Sequence, residues 1–167
     1  MRAWGSQSEV EKIEKILVKH PREAYGSQAM LDVNWKDLGY TAPVNYVKAL
    51  EEYEQFLSIL EEHVPEVHFL PASDGTGPDS LYARDSCMIT DEGAILFNMG
   101  KLQRRKEAAA AGDFFGELGL PLQGSITGEG TMEAGDMAWL DPETLAVGLS
   151  YRTNPEGVRQ LREYAKG

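Results

Sequence analysis

Charged side chains gather in four short stretches of this chain. Asp79-Ser80-Leu81-Tyr82-Ala83-Arg84-Asp85 carries two carboxylates, and Glu133-Ala134-Gly135-Asp136 carries two more. Arg104 and Arg105 form one basic pair, and Arg152 sits within Gly148-Leu149-Ser150-Tyr151-Arg152-Thr153-Asn154. Each stretch alone reads as solvated surface charge, the usual state of exposed acids and arginines. The alternative is a site in which Asp85 faces a pocket from a strand end and Arg152 offers its planar fork to a carboxylate. Ala134 and Gly135 are small enough for a backbone or a ligand to come close.

The placement of these stretches among the secondary-structure elements favours the site. Apolar residues at Val44, Val47, Leu50, Tyr53, Phe56, Leu57 and Leu60 predict a helix over 44–63, with Thr41 as N-cap and Pro65 as terminator. Val67–Leu70 reads as a short buried strand. Residues 82–99 read as a β-hairpin around Thr90-Asp91-Glu92-Gly93. A helix over about 103–118 follows, closed by Gly119 and Pro121, and then a strand over 122–126. A second hairpin turns at Asp141-Pro142-Glu143-Thr144 between 132–140 and 145–150, and a third helix begins at Asn154-Pro155. Strand, strand, helix, strand therefore recurs, with turns at Asp91 and Asp141. Such a period suggests a radial or stacked repeat. The acidic stretches lead into the two hairpins at equivalent places, and in a radial array such places converge on one axis.

Composition narrows the function classes. The 167 residues are 42% hydrophobic and 26% charged, which fits one ordinary globular domain over 1–167. A formal charge of −11 repels nucleic acid and suits a small cation. No apolar run reaches the roughly 20 residues of a membrane span, and the first residues lack a secretory apolar core. The single cysteine, Cys87, fits a reducing cytoplasm, and strand alternation puts it on the same face as Asp85, where it reads as a small core residue. No zinc-type spacing of His, Cys or acids is present, so no metal or other cofactor is expected.

Taken in order, Asp79-Ser80-x-Tyr82-x-Arg84-Asp85, Gly100-Lys101-x-x-Arg104-Arg105-x-Glu107, Glu133-Ala134-Gly135-Asp136 and Gly148-x-Ser150-x-Arg152-Thr153-Asn154-x-Glu156-Gly157 resemble the dimethylarginine dimethylaminohydrolase family. Arginine deiminases and amidinotransferases are more distant relatives. The resemblance implies an α/β fold, the pentein or α/β propeller of five ββαβ units around a central site. It also implies that a cysteine thiolate attacks the guanidinium carbon while a histidine moves protons to the leaving amine and from water. Acids fix the planar cation by charge-assisted bonds. Carried over, Glu133 is the catalytic glutamate, Asp85 and Asp79 are substrate-binding acids, and Arg104 and Arg152 hold the carboxylate or amino-acid end of the substrate.

Dimethylargininases commonly carry an acid where this chain has Arg84, and the Arg84-Asp85 pair is closer to arginine deiminases. Arginine, methylated arginines, agmatine-like amines and amidino donors all remain as substrates. The family's histidine follows the glutamate by about one repeat, and its cysteine lies near the end. Here His20, His63 and His68 precede Glu133, and only residues 134–167 follow it. The expectation is an N-terminal portion with about three of five units, inactive by itself and self-associating through its open flank. The second reading is a non-catalytic pentein, either a pseudoenzyme or a binding module.

Overall fold

The computed structural model describes residues 4–164, so the helix end expected near Gly167 lies outside the described residues. The chain forms two compact units, residues 12–83 in one and the N-terminal segment to Glu11 with residues 84 onward in the other. No helix among the described residues is long and apolar enough to cross a membrane.

In the unit over 12–83, β1 (Lys15–Val18) pairs in parallel with β2 (Glu66–Phe69), from Lys15 opposite Glu66 to Val18 opposite Phe69. Parallel neighbours need a crossover, and three helices supply it: α1 (Pro21–Tyr25), α2 (Gln28–Asn34) and α3 (Tyr46–His63). Helix α3 starts two residues later than its apolar pattern predicts. Asn45, not Thr41, is its cap, because the Asn45 side chain accepts from the backbone N–H of Lys48 at 2.9 Å. No residue of α3 is buried, and Val47 and Phe56 of the expected apolar stripe are exposed. Strand β2 is likewise half-buried rather than buried, with β1 as its one partner strand among the described residues. The small core here is Ala24, Tyr25 and Leu31, covered by Val44, Tyr46, Ala49 and Leu81.

The other unit holds the repeat. Strands β3 (Cys87–Thr90) and β4 (Gly93–Leu96) form the first hairpin, with Thr90 opposite Gly93. Helix α4 (Glu107–Glu117) leads to β5 (Leu122–Ser125), which lies parallel to β4 and completes a ββαβ arrangement in the order β3-β4-β5. Gly119 ends α4 with φ of +71°, the left-handed conformation that suits glycine, and the Leu120 N–H reaches back to the Phe115 carbonyl. Strands β6 (Met137–Asp141) and β7 (Thr144–Val147) form the second hairpin, followed by α5 (Pro155–Tyr164).

Each hairpin is preceded by a tight 3-10 turn, Ala83–Ser86 before β3 and Ala134–Asp136 before β6. One core joins the two copies: Met88, Ile95, Phe97, Ile126, Met132, Ala134, Met137 and Leu161. Gln7 bridges the turns, accepting from the Asp91 N–H and donating to the Pro142 carbonyl.

Candidate active site

Arg104 is the centre of the charged cluster. It ends a short 3-10 turn, Leu102–Arg104, just ahead of α4, and only 3% of it is exposed. Its Nε donates to both oxygens of Glu107 at 3.0 and 3.1 Å, and Nη2 donates to Oε2 at 2.8 Å. Glu107 is the first residue of α4, is itself buried, and puts its negative charge where the helix dipole favours it. The remaining Nη1 donates to Asp85 Oδ2 at 2.6 Å and lies 3.9 Å from Glu133 Oε2. Burial works against the guanidinium charge, and the bonds and fields of Glu107 and Asp85 overcome it, so the Arg104 pKa lies above the ordinary arginine value.

Glu133 stands immediately before its 3-10 turn and is buried. One oxygen accepts from the Lys101 N–H at 3.1 Å, and the other accepts from Arg152 Nη1. The Glu133 N–H donates to the hydroxyl of fully buried Thr153 at 3.2 Å. Arg152 is only partly buried, and its guanidinium lies 4.9 Å from the centre of the Tyr151 ring, within cation–π range. Two glycines make the approach geometrically feasible. A Cβ on Gly100 would overlap the Arg152 backbone, and a Cβ on Gly135 would press on Asp85 Oδ1 at 3.3 Å.

Four of the five residues singled out in the sequence thus meet: Asp85, Arg104, Glu133 and Arg152. Asp85 lies two residues before β3, whereas Glu133 lies four before β6. The hairpins repeat, but the acids are offset within them. Asp136, nearer β6, accepts from the Ser150 hydroxyl instead. Asp79 belongs to the other unit, where it is buried and Tyr40 donates to its Oδ1 at 2.9 Å. Burial, then the fields of Tyr82 and Asp79, push the Tyr25 phenol up to about 12. Tyr40 moves the same way, through burial and then Asp79. Arg84 is used outside the cluster, reaching Glu9 at 3.2 Å and the Met137 carbonyl at 3.3 Å. Cys87 is buried, and burial pushes its thiol up to about 12 against a weaker hydrogen bond from Ser86.

Glu107 and Thr153 stand in the sequence motifs but received no role there, and the structure makes both participants. The i, i+3 spacing of Arg104 and Glu107 at a helix start was the available signal.

The cluster sets three carboxylates, Asp85, Glu107 and Glu133, against two guanidiniums, Arg104 and Arg152, which leaves one negative charge in excess. Stability does not account for such an arrangement. Losing one partner of a buried ion pair costs about 3–5 kcal/mol, yet replacing a whole network by apolar groups is often neutral. What the cluster can do is hold planar cations by charge-assisted bonds at fixed carboxylates.

A sequence model of the arginine deiminase family matches residues 76–165, more than half of the chain and the whole of this cluster. The chain belongs to the arginine deiminase family. It is 29% identical over 119 residues to an N(G),N(G)-dimethylarginine dimethylaminohydrolase of Streptomyces coelicolor, covering 71% of this chain and 45% of that protein. A dimethylarginine dimethylaminohydrolase from Pseudomonas aeruginosa, solved as a mutant complexed with citrulline, superposes with a TM-score of 0.75 at 26% identity. That match covers 93% of this chain and 58% of the other. An amidinotransferase from Microseira wollei shares the fold at a TM-score of 0.71 and 18% identity, over 98% of this chain and 59% of the other.

These relatives are guanidine-modifying enzymes and place the chain in the pentein superfamily. The chain spans about half the length of the relatives it matches.

Proposed function

We propose that this arginine deiminase family chain carries the guanidinium-gripping part of a hydrolase site for arginine or a methylated arginine. One observation carries the reading: buried Glu133 already holds a guanidinium, that of Arg152, with its other oxygen fixed by the Lys101 N–H. Asp85 converges on the same place through Arg104. A ligand guanidinium at Glu133 would take over the bonds that Arg152 makes there. Arg152, partly exposed, would then be released to meet a ligand carboxylate. Asp79 is proposed as a further substrate-binding acid and Arg104 as the arginine that fixes Asp85.

Reaction at the guanidinium carbon needs an activated nucleophile and a proton carrier. The family resemblance assigns these to a cysteine and a histidine. A sulfur–carbon bond forms, the amine leaves with a proton from the histidine, and water then releases the ureido product. Cys87 is a poor candidate for that thiolate, because a buried thiol with a pKa near 12 is protonated at neutral pH. Residues 1–167 by themselves are therefore proposed to bind guanidines without turning them over. The same observation favours the second reading, a non-catalytic binding module. The exposed Leu140, Leu149 and Tyr151 support the proposal that the 167-residue chain self-associates.

Calorimetry with L-arginine, asymmetric dimethylarginine and agmatine, alongside a product assay, tests the reading. Saturable binding of at least one guanidine supports it. No binding of any at millimolar concentration overturns it, and turnover that survives Cys87→Ser overturns the claim of binding without reaction.

A further inference from the structure

We infer that Glu107 is a positioning residue of this site: it holds Arg104 off Glu133, so that Glu133 stays available to a ligand cation. The inference rests on the proposed guanidine-binding role of Glu133.

The geometry leads there directly. Arg104 has Glu107 along its Nε–Nη2 edge and both Asp85 and Glu133 near Nη1. Glu107 takes the Nε–Nη2 edge with both oxygens, at 2.8 to 3.1 Å. Asp85 takes Nη1 at 2.6 Å, and Glu133 waits 3.9 Å from the same nitrogen, beyond hydrogen-bond range. A fork bound on its edge by two parallel contacts has its plane and position fixed, which a single contact does not achieve. Both Arg104 and Glu107 are 96% or more buried, so water does not compete for the pair.

Remove the Glu107 charge, and nothing fixes the Nε–Nη2 edge, while buried Glu133 stands about an ångström beyond bonding distance of Nη1. The guanidinium would rotate onto that carboxylate. Glu133 would then be gripped by Arg104 as well as Arg152, and the count of charges would become two carboxylates against two guanidiniums. The excess negative charge that favours an incoming cation would be gone. Glu107 acts through Arg104, and α4 supplies the rigid base from which it does so.

The experiment compares wild-type residues 1–167, Glu107→Gln, and Glu107→Gln combined with Arg104→Met. The probe is ethylguanidinium, a guanidine without a carboxylate, and the readouts are calorimetric affinity and a crystal structure of the single variant. The expected results are an Arg104–Glu133 hydrogen bond in Glu107→Gln, a loss of affinity of about tenfold or more, the scale of one charge-assisted bond, and recovery to within about threefold of wild type in the double variant. A merely structural role for Glu107 predicts no recovery, since the double variant removes still more of the network. An Arg104 that stays in place, or a double variant as weak as the single, overturns the inference.

If Glu107→Gln does not fold, the double variant is compared with wild type directly, and a tenfold deficit in it overturns the inference. Wild type that ignores ethylguanidinium while Arg104 still swings onto Glu133 in the variant sinks the guanidine-binding proposal and leaves the positioning of Arg104 by Glu107 established.

Discussion

Glu133 is held from three directions: by a backbone N–H of Lys101, by the guanidinium of Arg152, and through its own N–H by Thr153. Two of these bonds fix its carboxylate and the third fixes its backbone. An amide of the same shape keeps one acceptor and loses the charge. Glu133→Gln is expected to weaken ethylguanidinium binding by about tenfold or more, because bonds to charged groups contribute about 1.5–3 kcal/mol. Calorimetry on a variant with an unchanged circular dichroism spectrum checks this, and equal affinity would remove Glu133 from the site.

Two other buried groups make stability depend on alkaline pH. Tyr25 and Cys87 both titrate near 12 in the folded chain, above their ordinary values near 10 and 9. The unfolded chain then loses these protons before the folded one does. Their contribution is complete below pH 9 and is lost as pH rises toward 12. The urea midpoint should be lower at pH 10.5 than at pH 8, and an unchanged midpoint would contradict the burial of these groups.

At the scale of elements, the turns before β3 and β6, the loop after β4 and the segment leading into α5 carry the site. Asn154 accepts from the N–H groups of Gly157 and Thr131, at 2.8 and 3.1 Å, and donates to the Glu129 carbonyl. It caps α5 and ties that cap to the segment ahead of Glu133. Asn154→Ala should cost about 1–2 kcal/mol in chemical denaturation. Gly100→Ala should cost at least as much, about 1–3 kcal/mol, because the new methyl group overlaps the Arg152 backbone and something must move. A Gly100→Ala protein as stable as wild type would mean that the two segments do not meet so closely.

These elements differ in how far the sequence reveals them. The turns at Asp91 and Asp141, the Gly119 cap and the Asn154-Pro155 helix start were all legible, because each depends on local chemistry of a few residues. Strand β1 and helices α1 and α2, at 4, 5 and 7 residues, are too short to show a period. The exposure of Val47 and Phe56 was hidden for the opposite reason: a clear apolar stripe says which residues could pack, not whether a partner covers them. That the segments of Asp85 and Glu133 approach each other could be read from the repeat, but not that the two acids stand out of register within it. That Arg104 is bound to Glu107 and Asp85 could not, since it depends on which of several charges the fold brings within reach.

For the molecule as a whole, the formal charge of −11 raises the local concentration of any cation, an effect that salt screens over about 8–10 Å. Guanidine affinity should therefore weaken as salt rises, but only modestly, since the contacts at Glu133 are buried and poorly screened. The product assay on residues 1–167 should read zero with arginine, dimethylarginine and agmatine. Sedimentation should show mass increasing with concentration, through exposed apolar residues such as Leu140 and Leu149. A monomer at all concentrations would contradict self-association, and any ureido product would contradict binding without reaction.

The lone buried thiol has a use unrelated to catalysis. Cys87 opens β3, two residues beyond Asp85, and is buried, so a thiol reagent reaches it readily only when that hairpin parts from its core. Its labelling rate, measured under native conditions with excess reagent, is a clock for local opening of the segment that carries Asp85. If a guanidine ligand bridges Asp85 to the rest of the cluster, the clock should slow in proportion to ligand occupancy. The sole cysteine of the chain would then report site occupancy without an introduced probe.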